Sequence, residues 1–291
     1  MWNGKNQTEY RPIKRILLKH PKDAYGSQAN ADAQWKELGY PAPVSLAKVT
    51  EEFEAFTAIL AKFIPMLSYL PADPDTGLDS VYTHDPIVPT NKGVIMMNMG
   101  KPQRRGEAAA MERYFKQEGI PVLGRVEAPA THEGGDSVWL DENTLAMAHS
   151  FRTNADGAAR MRELAGSDFE VLSYGLPYWN GPDECLHIMS FISPVDKDLA
   201  VVYSKQMPIP FREELTRRGF KFVEVPDSEY DTFGPNVLAV APRVVVLAKG
   251  NPKTAEGLRA AGCEVHEFPA EDITWKGGGG PTCLSRALER E

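Results

Sequence analysis

The fold is decided by residues 137–148, which have the sequence Ser-Val-Trp-Leu-Asp-Glu-Asn-Thr-Leu-Ala-Met-Ala. Two short apolar runs flank a polar Asp-Glu-Asn turn, a pattern that predicts two paired strands. Asn154 then caps a predicted helix in which Ala158 and Met161 share one apolar face. A third strand is predicted at 169–174. The segment therefore forms a unit with the order strand, strand, helix, strand.

The same order recurs along the chain, although the units have little sequence identity. The other predicted units cover 86–123, 188–225 and 237–268. Each unit takes about 50 residues, a length typical of repeats that stack into closed arrays. The repeat is therefore a prediction from the order of elements and not from matching residues.

The N-terminal region lacks only a leading strand. It has a predicted strand at 14–19, a polar loop at 23–40, a helix that begins after Ser45 and a strand at 66–70. Residues 284–288 would supply the missing strand and close a ring that leaves few exposed edges.

We therefore predict an α/β fold in which five strand–strand–helix–strand units form a five-fold pseudosymmetric α/β propeller around a central channel. Residues 1–291 would form a single domain whose N- and C-terminal segments complete one unit. The alternative is an ordinary α/β sandwich.

Composition excludes several classes of function. The 291 residues carry a net charge of −8, which disfavours binding to nucleic acid or to an anionic membrane. No apolar run is long enough to span a bilayer, and the N-terminus has no signal core. Three cysteines without a paired spacing favour a reduced, cytoplasmic protein without a disulfide framework or a structural metal.

A glycine-rich stretch at 277–280 leads through Pro281 to Cys283. Glycine permits positive φ and close approach of the backbone. The stretch therefore predicts either a cysteine nucleophile on a tight loop or a flexible tail with an incidental thiol.

The repeat brings scattered polar residues together. The positions that precede the leading strands are Asp85, the segment 133–136, His187, Asn236 and Cys283. Equivalent positions in a ring point at a common axis, so we expect these side chains to meet at one end of the channel. Glu133 and Asp136 are the acidic members of the second position.

This set of side chains has a chemical logic. A thiolate is a nucleophile, and a nearby imidazolium lowers the pKa of the cysteine. Histidine can protonate a leaving group and then deprotonate water. Carboxylates are unsuited to an oxyanion, but they pair with a planar cation such as a guanidinium. Attack of Cys283 on a guanidinium carbon would need no cofactor.

The chain resembles the guanidine-modifying enzymes of the pentein superfamily, and dimethylargininase most of all. Arginine deiminase and the amidinotransferases are its cousins. The resemblance runs from roughly residue 80 to the end. It rests on five motifs in the right order, namely 99–105, Glu133-Gly134-Gly135-Asp136, Arg152-Thr153-Asn154, 186–190 and the Thr282-Cys283 end.

The resemblance implies a role for each matching position. Cys283 resembles the nucleophile, His187 the general acid and base, and Glu133 the acidic residue beside that histidine. Asp85 resembles the aspartate that binds the guanidinium nitrogens. Arg104 and Arg152 are similar to arginines that hold the amino-acid end of the substrate in dimethylargininases.

Two positions depart from the family patterns. Arginine deiminases carry His-x-Asp, but Met189 stands two residues after His187. Dimethylargininases usually have Glu-Asp before the leading strand, but here the pair is His84-Asp85. His84 is either a substrate contact or a polar loop residue. Asp136 either contacts substrate or caps its own Gly-Gly turn.

The remaining cysteines, Cys185 and Cys263, are predicted to pack in the interior, but Cys185 is so near His187 in the sequence that lining the site is its alternative.

The resemblance implies a hydrolase of an arginine-like, N-substituted guanidine that forms a covalent S-alkylthiouronium intermediate and gives a ureido product such as citrulline. One alternative is an amidinotransferase, in which an amine replaces water. The other is a non-catalytic pentein that binds a macromolecule. The expected partner is a small guanidino compound, no cofactor is expected, and a homodimer is one arrangement that stays open.

Overall fold

The computed structural model describes residue 2 and residues 7–291. These residues form five three-stranded sheets with one common pairing pattern. In each sheet the central strand is antiparallel to one neighbour and parallel to the other. A tight turn cannot join parallel strands, and helical segments make these connections.

The N-terminal part of the first sheet comprises two parallel strands and three helices. They are β1 (Ile13–Lys19), α1 (Pro21–Tyr25), α2 (Gln28–Gln34), α3 (Leu46–Leu60) and β2 (Met66–Leu70). The predicted loop at 23–40 is wrong, because this segment contains the end of α1 and all of α2. Ala31 is the buried residue of α2, so the helix had no apolar periodicity to reveal it.

The next four sheets follow the predicted order of strand, strand, helix and strand. They are β3 (Ile87–Thr90), β4 (Gly93–Met96), α4 (Gly106–Glu118), β5 (Val122–Arg125); β6 (Ser137–Asp141), β7 (Thr144–His149), α5 (Ala155–Ala165), β8 (Glu170–Gly175); β9 (Ile192–Asp196), β10 (Leu199–Val202), α6 (Ile209–Arg217), β11 (Lys221–Glu224); and β12 (Leu238–Ala241), β13 (Val244–Ala248), α7 (Pro252–Ala260), β14 (Glu264–Phe268).

The last strand, β15 (Arg286–Arg290), returns to the first sheet. It pairs antiparallel with β1, and Ala287 lies opposite Ile16. Two ends of the described chain therefore share one sheet, with the order β15, β1, β2.

Four buried apolar clusters join neighbouring sheets. One contains residues of β1, β15, β3 and β4, and a second contains residues of β3, β4, β6 and β7. A third extends over β6, β7, β9, β10, β12 and β13, and the fourth joins β12, β13 and β14 to β1. Each sheet therefore packs against the next, and the last packs against the first.

No helix within the described residues has the length and apolar character needed to cross a membrane.

Candidate active site

Cys283 lies on a tightly packed loop between a π-helical turn at Glu271–Lys276 and β15. Gly278 has φ of 86°, a conformation that glycine adopts without strain. A Cβ on Gly280 would lie 2.5 Å from Asn236 Oδ1, which is closer than side chains approach. The glycine-rich stretch therefore belongs to a packed loop and is not a flexible tail.

Asn236 precedes β12 and fixes the cysteine from one side. Its Nδ2 donates a hydrogen bond to Cys283 Sγ at 3.2 Å, and its Oδ1 accepts one from the Thr282 amide at 3.0 Å. One side-chain amide therefore holds both the thiol and the peptide before it.

His187 and Glu133 form a buried pair at the ends of two other loops. His187 Nε2 lies 2.9 Å from Glu133 Oε2. Glu133 Oε1 accepts a hydrogen bond from the Lys101 amide at 2.9 Å, and Arg152 Nη1 lies 3.4 Å from each carboxylate oxygen. The fully buried carboxylate therefore has a partner for each oxygen.

Asp85 lies on the other side of the imidazole. Its Oδ1 is 4.0 Å from His187 Nδ1 and accepts a hydrogen bond from the Gly135 amide at 3.0 Å. Its Oδ2 is paired with Arg104 Nη1 at 2.5 Å. Two carboxylates, from Asp85 and Glu133, therefore flank one imidazole.

A cavity of about 330 Å³ lies over these side chains. Its lining includes six of the nine predicted site residues, which are Cys283, His187, Asp85, Arg152, His84 and Asn236. The expected meeting of Asp85, His187, Asn236 and Cys283 at one place is therefore present in the geometry. Glu133, Arg104 and Asp136 do not line the cavity and lie behind it.

The predicted contact of Arg104 with the substrate is wrong, because its side chain does not reach the cavity. Its Nε and Nη2 donate to the two oxygens of Glu107 at 2.9 and 2.8 Å, and its Nη1 donates to Asp85. A guanidinium held by two carboxylates is not free to bind the amino-acid end of a substrate. The sequence contained a signal for this pairing, because Glu107 stands three residues after Arg104 on the same face of the chain.

Asp136 also differs from both of its predicted roles. Its Oδ1 accepts a hydrogen bond from the Ile188 amide at 3.2 Å, and its Oδ2 accepts one from Ser150 Oγ at 2.5 Å. It therefore braces the peptide after His187, rather than touching the cavity or capping its own Gly-Gly turn.

His84 is held from behind the cavity. Its Nδ1 lies 3.3 Å from the carbonyl oxygen of Ser285, and its Nε2 lies 2.5 Å from Arg286 Nη1. A carbonyl only accepts and a guanidinium only donates, so the proton is on Nδ1 and Nε2 accepts. Burial, followed by the charge of Arg286, holds the pKa of His84 well below its usual value, and the imidazole is neutral.

The pKa of His187, the other imidazole of the site, is shifted in the direction opposite to that of His84. Burial alone would lower the pKa of His187, but the charges of Cys185 and Asp136 and hydrogen bonds to Cys185 and Glu133 raise it well above its usual value. At neutral pH His187 is therefore an imidazolium. Burial would raise the pKa of Glu133, yet its hydrogen bond to His187 and the charges of His187 and Arg152 lower that pKa to about 2.

The cysteine is a neutral thiol when the cavity holds no cation. Burial raises the pKa of Cys283 to about 11, and the charge of Asp85 contributes to the rise. The charge of His187 and the hydrogen bond from Asn236 act in the opposite direction. A cation bound beside Asp85 would oppose the contribution of this carboxylate and so favour the thiolate.

Cys185 is at the site, which was the alternative to its predicted packing in the interior. It is exposed, it lines the cavity, and its Sγ lies 3.5 and 3.6 Å from the two ring nitrogens of His187. Its position two residues before His187 was the signal for this alternative. Cys263 is buried, as predicted.

Other lining residues were not predicted as site residues. Lys101, Tyr230 and Asp231 belong to the lining, as does the stretch 38–41 between α2 and α3. Lys101 lies in the motif 99–105, but nothing in the local sequence distinguishes the others from ordinary loop residues.

One group of side chains has the composition of a metal site. Glu133, Cys185 and His187 offer a carboxylate, a thiol and an imidazole whose ligand atoms lie within 4.8 Å of one another. The expectation that the protein uses no metal stays a prediction.

Comparison with known proteins shows that the chain is a dimethylargininase-like member of the pentein superfamily. The family model described as "N,N dimethylarginine dimethylhydrolase, eukaryotic" matches residues 23–288, and the chain belongs to this family. Its members are hydrolases that act on C–N bonds of guanidino compounds, and this chain is an enzyme of that class.

Two curated relatives have related activities. An N(G),N(G)-dimethylarginine dimethylaminohydrolase from Pseudomonas aeruginosa is 26% identical over 254 residues, which cover 85% of this chain and 90% of that protein. An arginine deiminase from Listeria welshimeri is 27% identical over 251 residues, which cover 72% of this chain and 61% of that protein. The match therefore spans about three fifths of the deiminase.

Solved structures show the same fold. DDAH from Pseudomonas aeruginosa, as a cysteine-to-serine mutant complexed with citrulline, aligns with a TM-score of 0.75 at 24% identity and covers 96% of this chain and 100% of its own. The N-terminal domain of ArgZ, an arginine dihydrolase from cyanobacteria, bound to product, aligns with a TM-score of 0.80 at 19% identity and covers 96% and 98%.

Proposed function

We propose that the protein hydrolyses an arginine-like, N-substituted guanidine to a ureido product such as citrulline, with release of an amine or ammonia. The observation that carries the proposal is the cavity in which Cys283, His187 and Asp85 meet. A thiol, an imidazolium and a carboxylate around one small space suit attack on a planar cation.

We assign the steps as follows. The Cys283 sulfur, as thiolate, forms a bond to the guanidinium carbon. The bond from that carbon to the departing nitrogen breaks as His187 gives this nitrogen a proton, and an S-alkylthiouronium remains. Water then attacks the same carbon and loses a proton to His187. The C–S bond breaks last as the remaining hydroxyl proton passes to solvent, which releases the neutral ureido product and restores the thiolate.

The other predicted residues support these steps. Asp85 would bind the guanidinium nitrogens, and the substrate cation would in turn favour ionisation of Cys283. Glu133 would orient His187 through the contact between Oε2 and Nε2. Arg152 lines the cavity and would bind the amino-acid end of the substrate, whereas Arg104 would act as a positioning residue for Asp85.

The propeller belongs to the same proposal. The five sheets would stand around one axis as a single domain, with the cavity at one end of the channel. The support is the chain of buried clusters, which links each sheet to the next and the last to the first.

A mass-spectrometric screen tests the function. The purified protein is incubated with mono- and dimethylarginines, arginine, agmatine and guanidino acids, in parallel with Cys283→Ser. A ureido product and a free amine are expected with the wild type and not with Cys283→Ser. A guanidine that forms only when an amine is added would indicate the amidinotransferase instead.

Cys185→Ser is the matched control, because this second thiol lines the same cavity. Turnover should persist in Cys185→Ser, and a quenched reaction should carry the covalent mass addition on the Cys283 peptide. Folded protein with neither turnover nor adduct would favour the non-catalytic binding protein.

A further inference from the structure

A second, smaller cavity lies on the other side of the loop that carries the candidate nucleophile. Its volume is about 20 Å³, enough for one or two water-sized groups. His84 and Thr282 line both cavities, so these two residues separate the small cavity from the candidate active site. A small group bound in this cavity would therefore contact Thr282, the residue next to Cys283.

Three buried hydrogen-bond donors of residues on this lining have no partner among the described residues. They are Arg286 Nε, Trp139 Nε1 and Thr282 Oγ1, and each belongs to a side chain of a residue that is at least 95% buried. The indole and guanidinium nitrogens can only donate. A buried donor without an acceptor costs free energy, so three at one cavity indicate an acceptor that occupies it.

The positive charge of the lining also favours an anion in this cavity. Arg286 and Arg290 both line the cavity and are both buried. Arg290 Nη1 donates to the carbonyl oxygens of Arg11 and Ala239, which supply no charge. Burial lowers the pKa of each guanidinium to about 10; the charge of Glu9 opposes this shift at both, and the charge of Asp85, which is not on this lining, opposes it at Arg286.

Glu9 is the acidic residue on the lining, and it is already engaged. Its Oε1 accepts a hydrogen bond from the Trp139 amide at 3.2 Å. Neither arginine forms an ion pair within the described part of the chain, and Met1 and residues 3–6 contain no acidic side chain. One carboxylate therefore faces two guanidinium groups.

The neighbouring imidazole adds no negative charge. His84 is neutral and uses its Nδ1–H toward Ser285 and its Nε2 toward Arg286. It therefore satisfies one nitrogen of Arg286 and leaves Nε unpaired.

We propose that this cavity binds a monovalent inorganic anion of the size of chloride. Such an ion accepts hydrogen bonds from the Arg286, Trp139 and Thr282 donors and neutralises the excess positive charge. Phosphate and sulfate exceed the space. Water also fits the space, but it carries no charge to offset the two guanidinium groups.

An occupied site braces the loop beside the nucleophile. Thr282 donates its amide to Asn236 and would donate its hydroxyl to the anion, so both sides of this residue are held. Anion binding itself does not depend on the function proposed above, and its test needs no substrate.

The first test is thermal unfolding at constant ionic strength, with sodium chloride exchanged for sodium gluconate, which is too large for the cavity. A ligand of the folded state raises its stability, so Tm should rise saturably by roughly 3–6 °C as chloride replaces gluconate. No difference between the two salts would overturn the proposal.

Two variants and one control test whether the chloride effect on Tm arises at this cavity. Arg286→Met should abolish the dependence of Tm on chloride, while Arg113→Met, which removes an exposed and ion-paired arginine, should retain it. Trp139→Phe removes one donor and keeps an aromatic ring against Phe169, and it should weaken the apparent chloride affinity roughly tenfold. Equal chloride dependence in Arg286→Met would contradict the assignment.

Bromide gives a direct answer that does not require the variants to fold. Crystals of the wild-type protein grown in sodium bromide should show an anomalous peak between Arg286 and Trp139. A cavity that contains only water, without anomalous signal, would overturn the proposal even if chloride raised Tm through another site.

Discussion

Asn236 contributes to the ionisation of the candidate nucleophile, because its Nδ2 donates a hydrogen bond to Cys283 Sγ and opposes the effect of burial on the thiol. Hydrogen bonds to a thiolate lower the pKa of the thiol. We expect Asn236→Ala to raise that pKa and to slow alkylation of Cys283 by iodoacetamide at pH 8 by about three- to tenfold. Peptide mapping by mass spectrometry measures the rate at this cysteine alone.

The pH dependence has a definite sign. In the wild type the Cys283 pKa lies at about 11, so the reactive thiolate fraction, and with it the alkylation rate, should increase about tenfold per pH unit through pH 8 to 10 without a plateau. Asn143→Ala, on an exposed turn, is the control and should alkylate at the wild-type rate. An unchanged rate in Asn236→Ala would show that the amide does not stabilise the thiolate.

At the scale of single residues, the sequence predicts which residues lie near the site, but it does not predict the direction of each side chain. Cys283, His187 and Asp85 precede strands at equivalent places, so their meeting follows from the repeat. Arg104 also matches a motif, but its direction depends on Glu107 and Asp85, which both bind the guanidinium. The Glu107 contact had a local signal, whereas the Asp85 contact depends on tertiary packing.

The 3₁₀ turn Gly134–Asp136 leaves space for the imidazole of His187, because Gly135 has no side chain. A Cβ on Gly135 would lie 2.3 Å from His187 Nδ1 and 2.9 Å from Asp85 Oδ1. We expect Gly135→Ala to displace the imidazole and to reduce kcat/KM about 100-fold, since a shift of about 1 Å in a catalytic group costs this much.

Steady-state kinetics on the substrate found in the screen measure this effect. Gly175→Ala is the control, because a Cβ there meets nothing within 4 Å and the φ of this glycine is not in the left-handed region. Far-UV circular dichroism should be the same for both variants. A fully active Gly135→Ala would mean that the turn moves to accept the methyl group and does not hold His187.

The elements themselves differ in how well a local pattern predicts them. The helix at Ala155–Ala165 begins at Asn154, whose Oδ1 accepts from the Gly157 amide at 2.8 Å, as the cap signal predicts. The π-helical turn before Cys283 had no such signal. Its first amides donate to the carboxylate of Glu52 in α3, more than 200 residues away, and no local pattern contains that contact.

For the whole molecule, the prediction of five strand–strand–helix–strand units rested on local turns and helix ends, which are short-range signals. The pairing of β15 with β1 is a long-range contact, and it was inferred only because the first unit lacked a strand. Buried clusters shared between sheets make the units depend on one another. The stability of the terminal sheet should therefore be coupled to that of the rest of the chain.

Leu288 in β15 tests this coupling. It is fully buried in the cluster that contains Leu17 of β1 and Val94 of β4. Leu288→Ala should reduce the free energy of unfolding by about 2–5 kcal/mol, because it leaves a cavity in a packed core. Urea unfolding followed by tryptophan fluorescence and by far-UV circular dichroism should give one shared, shifted transition.

Ile209→Ala, at a side chain that is 73% exposed, should change stability by less than about 0.5 kcal/mol. If Leu288→Ala instead produced an early transition seen by only one probe, the terminal sheet would unfold independently, and the proposed closed arrangement of five sheets would lose its support.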